Sequence, residues 1–180
     1  MKNEKSIFTI IGPHAGELPD SIISRKIKDI KKVGQTFWVI KAIKGKKPIE
    51  VQKFCENSEI KILFISPATK GGAEDTKSTC PNKEYSKDNL NWTRLPDISK
   101  VSGDGYAFIL DSLEIKKDSY IDINKYAEES NIPLKFNQSA STICSIKSDM
   151  TSHPNRMKSN KRQLIAIGKL KAPYCVWVRK

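Results

Sequence analysis

The chain has 180 residues, which is the size of one ordinary domain. Hydrophobic residues make up 38% and charged residues 29%, a balance that excludes collagen-like, coiled-coil and wholly disordered chains. Apolar runs such as Ile62 to Ile65 are far shorter than the roughly 18 to 20 residues of a membrane span, and no secretory signal core follows Met1. We expect a single cytoplasmic domain over residues 1–180, with no membrane partner and an oligomeric state left open.

Charge is the clearest indication of a partner, because 32 basic residues against 20 acidic ones give a formal net charge of +12. The excess is concentrated in two blocks: residues 21–47 and residues 146–180 each hold nine basic residues and one acid. Two positive segments that meet in the fold would form a surface for nucleic acid, DNA or RNA. The alternative is a solvated lysine-rich surface, since 27 of the basic residues are lysines.

The cysteines and histidines show no metal-binding pattern. No C-x-x-C or H-x-x-x-H pair occurs, and no glycine-rich phosphate-binding loop is present. We therefore expect no metal, no cofactor and, in a reducing compartment, no disulfide. The four cysteines are Cys55, Cys80, Cys144 and Cys175.

The first third of the chain predicts strands and helices in alternation. Proline and glycine positions and apolar spacing place the elements at Ile7–Ile11 (strand), Asp20–Lys32 (helix), Thr36–Ala42 (strand), Pro48–Cys55 (helix) and Ile60–Ile65 (strand). In the first helix Asp20 is the expected N-cap and Gly34 the stop. Its outer face carries Arg25, Lys28 and Lys32, which we predict to contact nucleic acid.

Residues 66–100 form the longest region without periodicity, far beyond the usual connection of about 4 to 6 residues. We expect a long functional or flexible loop there. Trp92, near several cations, predicts a stacking face for a base; the alternative is an indole folded back onto the core.

The second half returns to strands. They are predicted from Gly105 to Ile115 and at Ile132–Phe136, Thr142–Ile146, Gln163–Leu170 and Tyr174–Val178, with a short helix around Asp122–Glu129 and a tight reversal at Lys171-Ala172-Pro173. The fold class that follows is α+β, with a mixed, curved or barrel-like central sheet and about three helices.

Residues 137–162 are polar and basic, and this composition suits phosphate contacts. The alternative is a solvated loop whose hydroxyl groups cap local turns. The side chains predicted to bind are Ser139, Ser141, Thr142, Lys147, His153, Arg156, Lys158, Lys161 and Arg162.

Two catalytic alternatives remain open, both for a small nuclease or phosphodiesterase. Asp97, Glu114 and Lys116 resemble the P-D…(D/E)-x-K pattern, in which acids bind Mg²⁺, although chance placement gives about 3 acid-x-Lys triplets in such a chain. His14 and His153 are the only histidines available for general acid–base catalysis without a metal.

Three segments together resemble the PUA-like superfamily, including the EVE and ASCH modules. They are the aromatic strand Thr36–Lys41, the glycine-entered strand Gly103–Ile109 and the closing strand Ile165–Lys169, about a third of the chain. The resemblance implies a small β-barrel that reads a modified or flipped base in nucleic acid, with Trp38 and Trp92 as pocket candidates. A third class, a basic protein-interaction factor of a host-defence or mobile-element system, stays open beside nucleic-acid binding and nuclease activity.

Overall fold

The computed structural model describes residues 4–14, 16–40, 43–67, 81–99, 101, 103, 105–128, 132, 134, 141–146 and 161–180. In chain order they form β1 (Lys5–Ile10), α1 (Pro19–Val33), β2 (Thr36–Ile40), α2 (Pro48–Glu56), β3 (Lys61–Ile65), β4 (Glu84–Ser86), β5 (Thr93–Arg94), β6 (Gly105–Asp122), a 3-10 turn (Ile123–Lys125), β7 (Tyr126–Glu128), β8 (Thr142–Ile146) and β9 (Lys161–Arg179). In this part of the chain, neither helix has the length and apolar character needed to cross a membrane.

The nine strands belong to one mixed, open sheet, whose main path runs β2-β6-β9-β3-β1-β8-β7. β6 and β9 pair antiparallel from Gly105↔Val178 to Asp122↔Lys161. These two long strands connect β2 on one side of the sheet with β3 on the other. β1 and β3 are parallel, and the other strand pairs are antiparallel. β4 extends the sheet from the C-terminal end of β9, and β5 pairs with β4.

Both helices pack on one face of the sheet, where they contact the strand residues that point to that face. Ile23 of α1 and Val51 of α2 join Phe64 of β3 in the largest buried cluster. The opposite face carries two smaller clusters, one around Phe8 and one around Phe37. The helices therefore cover one face of the sheet, and segments that connect its strands cover the other face.

The predicted helices at the start of the chain are confirmed, and their ends follow from local chemistry. Pro19 begins α1, because a proline loses nothing in the first turn, where the N–H has no partner. Gly34, with φ 76°, ends the helix and donates its N–H to the Ile30 carbonyl at 2.8 Å. Asp20 is not the N-cap but lies in the first turn, where its negative charge interacts favourably with the helix dipole.

The prediction of about three helices is wrong, because the described residues contain two. Where we expected the third, at Asp122–Glu129, the chain makes a 3-10 turn and then β7. The Asp122 carboxylate accepts the Asn124 N–H at 3.0 Å and closes that single turn. Pairing of β7 with β8 then holds the next residues extended, so cross-strand contacts outweigh helix propensity.

The prediction of a barrel-like sheet is also wrong, because the path ends at β2 and β7 without closure. Part of the β2 edge is already bonded to a helix: Lys26 of α1 donates from Nζ to the Phe37 carbonyl at 2.7 Å. A carbonyl that accepts from a side chain is less available to another strand.

The predicted reversal at Lys171-Ala172-Pro173 is wrong as well, since β9 continues through these residues. β6 pairs with it on both sides, Leu110↔Leu170 and Phe108↔Cys175, and the register shifts between the two pairs. The extra residues of β9 therefore form a bulge inside one strand, which places Lys171 beside α1.

The region predicted as one long loop contains packed structure over residues 81–99. Tyr85 of β4 packs on Phe37, with ring centroids 5.1 Å apart, and Leu95 and Ile98 join the same cluster. The Leu95 N–H donates to the Lys83 carbonyl at 2.8 Å. Residues 68–80 lie outside those that the structure describes.

Candidate nucleic-acid interface

The exposed face of α1 carries three lysines close together. Because the helix repeats every 3.6 residues, Lys28, Lys31 and Lys32 occupy neighbouring positions over its last two turns, and all three are exposed. We call these residues the α1 lysine stripe. Lys28 and Lys31 form no ion pair with the residues that the structure describes, so their charges face solvent.

Lys32, unlike the other two lysines of the stripe, forms an ion pair with a described residue. Its Nζ lies 2.5 Å from Oδ2 of Asp97, and this hydrogen bond lowers the pKa of Asp97 below its ordinary value. Asp97 is itself exposed. An exposed pair of this kind is weak and is screened by salt, so Lys32 is able to exchange Asp97 for another anion.

Lys171 adds a positive charge at the C-terminal end of the stripe. Its Nζ donates to the Gly34 carbonyl at 3.3 Å, at a helix end where carbonyl groups lack intrahelical partners. The helix dipole favours a cation at that end. Through this contact a residue of the second basic block, 146–180, lies beside residues of the first, 21–47.

Arg25, predicted to contact nucleic acid, is engaged within the protein. Its Nε and NH2 donate to the two carboxylate oxygens of Glu17 at 3.2 and 2.7 Å, and its NH1 donates to Ser99 Oγ at 3.2 Å. The hydrogen bond from Arg25 holds the pKa of Glu17 below its ordinary value. Glu17 balances the Arg25 charge, so Arg25 contributes less to a phosphate surface than Lys28 or Lys31.

The buried face of α1 also carries charged residues, Lys26 and Asp29, each 5% exposed. Asp29 accepts hydrogen bonds from Thr36 Oγ1 at 3.0 Å, from the Ser99 N–H at 2.8 Å and from Ser99 Oγ. Burial lowers the pKa of Lys26 to about 8. We call Lys26, Asp29, Thr36 and Ser99 the α1 polar anchor, because they fasten α1 to β2 and to residues 95–99.

The second basic block is divided in space. Lys161 is exposed at the start of β9, whereas Arg162 is 4% exposed and donates from NH1 to the Ser66 carbonyl at 2.9 Å. Burial lowers the pKa of Arg162. Lys171 lies about 30 Å further along the same strand at the usual rise per residue. In the described part of this block, Lys171 is the basic residue that hydrogen-bonds to the end of α1.

The hydroxyl groups predicted to bind phosphate lie in the interior where the structure describes them. Ser141 Oγ is 2.9 Å from Thr9 Oγ1, and Thr142 pairs with Phe8 in the sheet; both residues are buried. The predicted binding residues that fall outside the described part of the chain are Ser139, Lys147, His153, Arg156 and Lys158. Their contribution stays a prediction.

The two tryptophans proposed for a base pocket lie in different surroundings. Trp38 packs on Phe64 in the largest buried cluster, with ring centroids 4.7 Å apart. Trp92 is half-buried at the edge of the sheet, where the guanidinium carbon of Arg179 lies 3.9 Å from its ring centroid. Trp38 is therefore half-buried against the core, and Trp92 stacks on a cation.

The acid-x-Lys set is not assembled into a metal site in the described residues. Asp97 pairs with Lys32 at the end of α1, and Glu114 pairs with Lys116 on β6, with 2.5 Å between the charged atoms of that second pair. No three His, Cys, Asp or Glu side chains in this part of the chain lie close enough to hold a metal ion.

The histidine pair is described only in part. His14 is exposed, in a turn whose backbone exchanges two hydrogen bonds with Glu17. His153 lies outside the described residues. Metal-free cleavage by these two histidines stays a prediction.

Two residues of the interface belong to the basic blocks but are not among the predicted binding residues. Lys31 lies three positions after Lys28, so the helical repeat is a sufficient signal to find it. Lys171 falls in the predicted reversal, and only the pairing of β9 with β6 places it beside Gly34. Sequence alone holds no signal for that contact.

No protein-family model, no curated protein and no solved structure matches this chain. The resemblance to the PUA-like superfamily therefore stays a prediction. No residue role is transferred from a relative, and the interface rests on its own geometry.

Proposed function

We propose that this protein binds nucleic acid through the α1 lysine stripe and Lys171, with phosphate contacts as the main source of affinity. The observation that carries the proposal is the hydrogen bond from Lys171 Nζ to the Gly34 carbonyl, which joins residues of both basic blocks at one exposed helix end. A cytoplasmic location, where RNA is abundant, is part of the same proposal.

Lysine chemistry defines what kind of binding to expect. An ammonium group is a compact point charge without the planar fork of arginine, so it binds phosphate oxygens without selecting a base. The net charge of +12 adds a long-range attraction that raises the rate of encounter with a polyanion. We therefore expect sequence-independent binding that weakens strongly with salt.

The test is fluorescence anisotropy with labelled RNA and DNA strands at salt concentrations from about 50 to about 200 mM. For wild type, the logarithm of the association constant should fall linearly with the logarithm of salt concentration. Replacing Lys28 and Lys31 together by glutamine should lower affinity about tenfold and reduce the slope by about 2. If these lysines instead served an acidic protein partner, the labelled RNA and DNA strands would not show this binding.

A matched control separates this interface from overall charge. Lys117 of β6 and Lys125 of the 3-10 turn are exposed and form no ion pair with described residues, so Lys117→Gln with Lys125→Gln removes the same charge elsewhere. The control should keep the wild-type slope. Equal losses in both double variants, or a wild type that binds neither RNA nor DNA, would overturn the proposal.

A further inference from the structure

An apolar tip projects from the hairpin that β4, β5 and their connecting turn form, residues 84–94, which we call the 84–94 hairpin. Leu90 is 80% exposed, more than any other large hydrophobic residue in the described part of the chain. Trp92 follows two positions later. A single exposed leucine is ordinary, but this one lies in a turn that four hydrogen bonds to one carboxylate hold in place.

One carboxylate organises the turn. Asp88 accepts hydrogen bonds from the N–H groups of Leu90 and Asn91, both at 2.8 Å, from Asn91 Nδ2 at 2.8 Å and from Ser86 Oγ at 2.9 Å. These bonds hold the pKa of Asp88 far below its ordinary value, and the bond from the Asn91 N–H has the largest effect. Asn89 adopts φ 62°, a left-handed conformation that asparagine tolerates. The turn is thereby set in one conformation with Leu90 outward.

The hairpin is also fastened to the body of the protein. Gln52 of α2 donates from Nε2 to the Lys87 carbonyl at 2.9 Å and to the Cys175 carbonyl at 2.7 Å. One amide group therefore connects the turn to β9. A preorganised tip loses little conformational entropy when it binds.

Trp92 belongs to a second rigid unit beside the tip. Arg179 covers the indole at 3.9 Å, and Glu84 holds the guanidinium through Nε at 2.7 Å and NH2 at 2.6 Å. Stacked aromatic and guanidinium planes are the groups on which proteins stack unpaired bases.

The charges around the hairpin favour a polyanion. Lys83, Lys87, Arg94 and Lys180 are exposed, and none of them pairs with a carboxylate in the part of the chain that the structure describes. The two carboxylates of the hairpin are engaged, Glu84 with Arg179 and Asp88 within the turn. An acidic or nucleic-acid partner is therefore favoured over a purely apolar one.

The 84–94 hairpin and the α1 lysine stripe are close enough for a single strand of nucleic acid to contact both. Trp92 and Asp97 are five positions apart in the chain, so their Cα atoms are at most about 18 Å apart. Asp97 in turn pairs with Lys32 of the stripe. A single nucleic-acid strand bound along the stripe is therefore able to reach the hairpin.

We propose that the 84–94 hairpin stacks on unpaired bases, with the Trp92–Arg179 pair as platform and Leu90 as a wedge between bases. This inference rests on the proposed function, in which the stripe binds phosphates, and adds the substrate class: single-stranded nucleic acid is preferred over duplex. Leucine wedges and aromatic platforms act on base planes, which a paired and stacked duplex does not offer without deformation.

The test compares two strands that differ only in their bases. One is an oligonucleotide of about 16 thymidines and the other an abasic phosphodiester strand of the same length. Trp92→Ala and Leu90→Ser should each lower affinity for the thymidine strand about tenfold and leave affinity for the abasic strand unchanged. Leu90→Ser is the independent second variant, because so exposed a side chain contributes little to folding.

Two control variants complete the experiment. Trp92→Phe keeps an aromatic plane and should retain most of the affinity for thymidine. Tyr120→Ala removes a 63% exposed aromatic residue from β6 and should change neither affinity.

The failures are distinguishable. A wild type that binds neither strand would overturn the proposed function. A wild type that binds both strands equally well, or hairpin variants that weaken both strands alike, would overturn the base-stacking inference alone. Variants without effect on either strand would also overturn it and would make Leu90 a candidate contact for a protein partner.

Discussion

Both faces of α1 carry charged residues, but the two faces use these residues in opposite ways. On the buried face Lys26 and Asp29 are bonded to β2 and to residues 95–99, whereas on the outer face Lys28 and Lys31 meet solvent without an ionic partner among the described residues. Lys26 and Lys28 are two positions apart in the sequence. A count of basic residues therefore overstates the charge that a polyanion can reach, since position on the helix decides which lysines are available.

The difference has a simple electrostatic origin. A buried charge loses its hydration and must be compensated by hydrogen bonds, so it is tied to fixed partners. An exposed ammonium keeps its water and exchanges it readily for phosphate. Substitutions in the α1 polar anchor should therefore change stability and leave binding alone, and those in the α1 lysine stripe should do the reverse.

Asp29→Ala should have the largest effect. It leaves the Thr36 hydroxyl, the Ser99 N–H and the Ser99 hydroxyl without their acceptor, so we expect the free energy of unfolding to fall by about 3 kcal/mol. Urea denaturation measures the change. The matched control is Asp20→Ala, exposed in the first turn of the same helix, which should cost less than about 1 kcal/mol. Similar losses in both variants would contradict the distinction between the faces.

Lys26→Met should reveal a pH dependence. The pKa of Lys26 is about 8 in the folded protein, below its ordinary value of 10.5, so between these pH values the unfolded chain holds a proton that the native state lacks. Stability of wild type relative to Lys26→Met should therefore rise as pH increases from 8 to 10.5, by at most about 3 kcal/mol. Urea midpoints for both proteins at pH values on either side of this window provide the measurement, and a constant difference would show that burial does not lower the pKa of Lys26.

Ser99→Ala should have a smaller effect. The Ser99 hydroxyl donates to Asp29 and accepts from Arg25, but the Ser99 N–H keeps its own bond to Asp29. We expect a loss of about 1 kcal/mol, measured in the same urea experiment. If Ser99→Ala were as damaging as Asp29→Ala, the hydroxyl rather than the carboxylate would be the centre of the α1 polar anchor.

The double substitution of Lys28 and Lys31 by glutamine should be nearly silent in stability, with a change below about 0.5 kcal/mol. The same variant should weaken nucleic-acid binding, whereas Asp29→Ala should leave the salt slope unchanged at a temperature where it is folded. Anisotropy and denaturation on both proteins complete the comparison. A large loss of stability in the lysine variant would place these residues in the fold instead of the interface.

Local signals were sufficient for the elements whose ends are set by nearby residues. α1 and α2 follow from prolines at the first turn and from apolar spacing, and β3 and β8 follow from short apolar runs. The third predicted helix failed because pairing of β7 with β8 acts on Tyr126–Glu128 from outside the segment. The reversal at residues 171–173 failed because β6 pairs with β9 on both sides of it.

The net charge, the two basic blocks and the lysine positions on the outer face of α1 were determined by the sequence alone, because composition and the 3.6-residue repeat are local properties. Which charges remain available was decided by the tertiary structure: Arg25 with Glu17, Lys32 with Asp97 and Lys171 with Gly34 are contacts across 8, 65 and 137 residues. Such contacts depend on how the sheet brings distant segments together, and no local pattern encodes the register of a bulged strand.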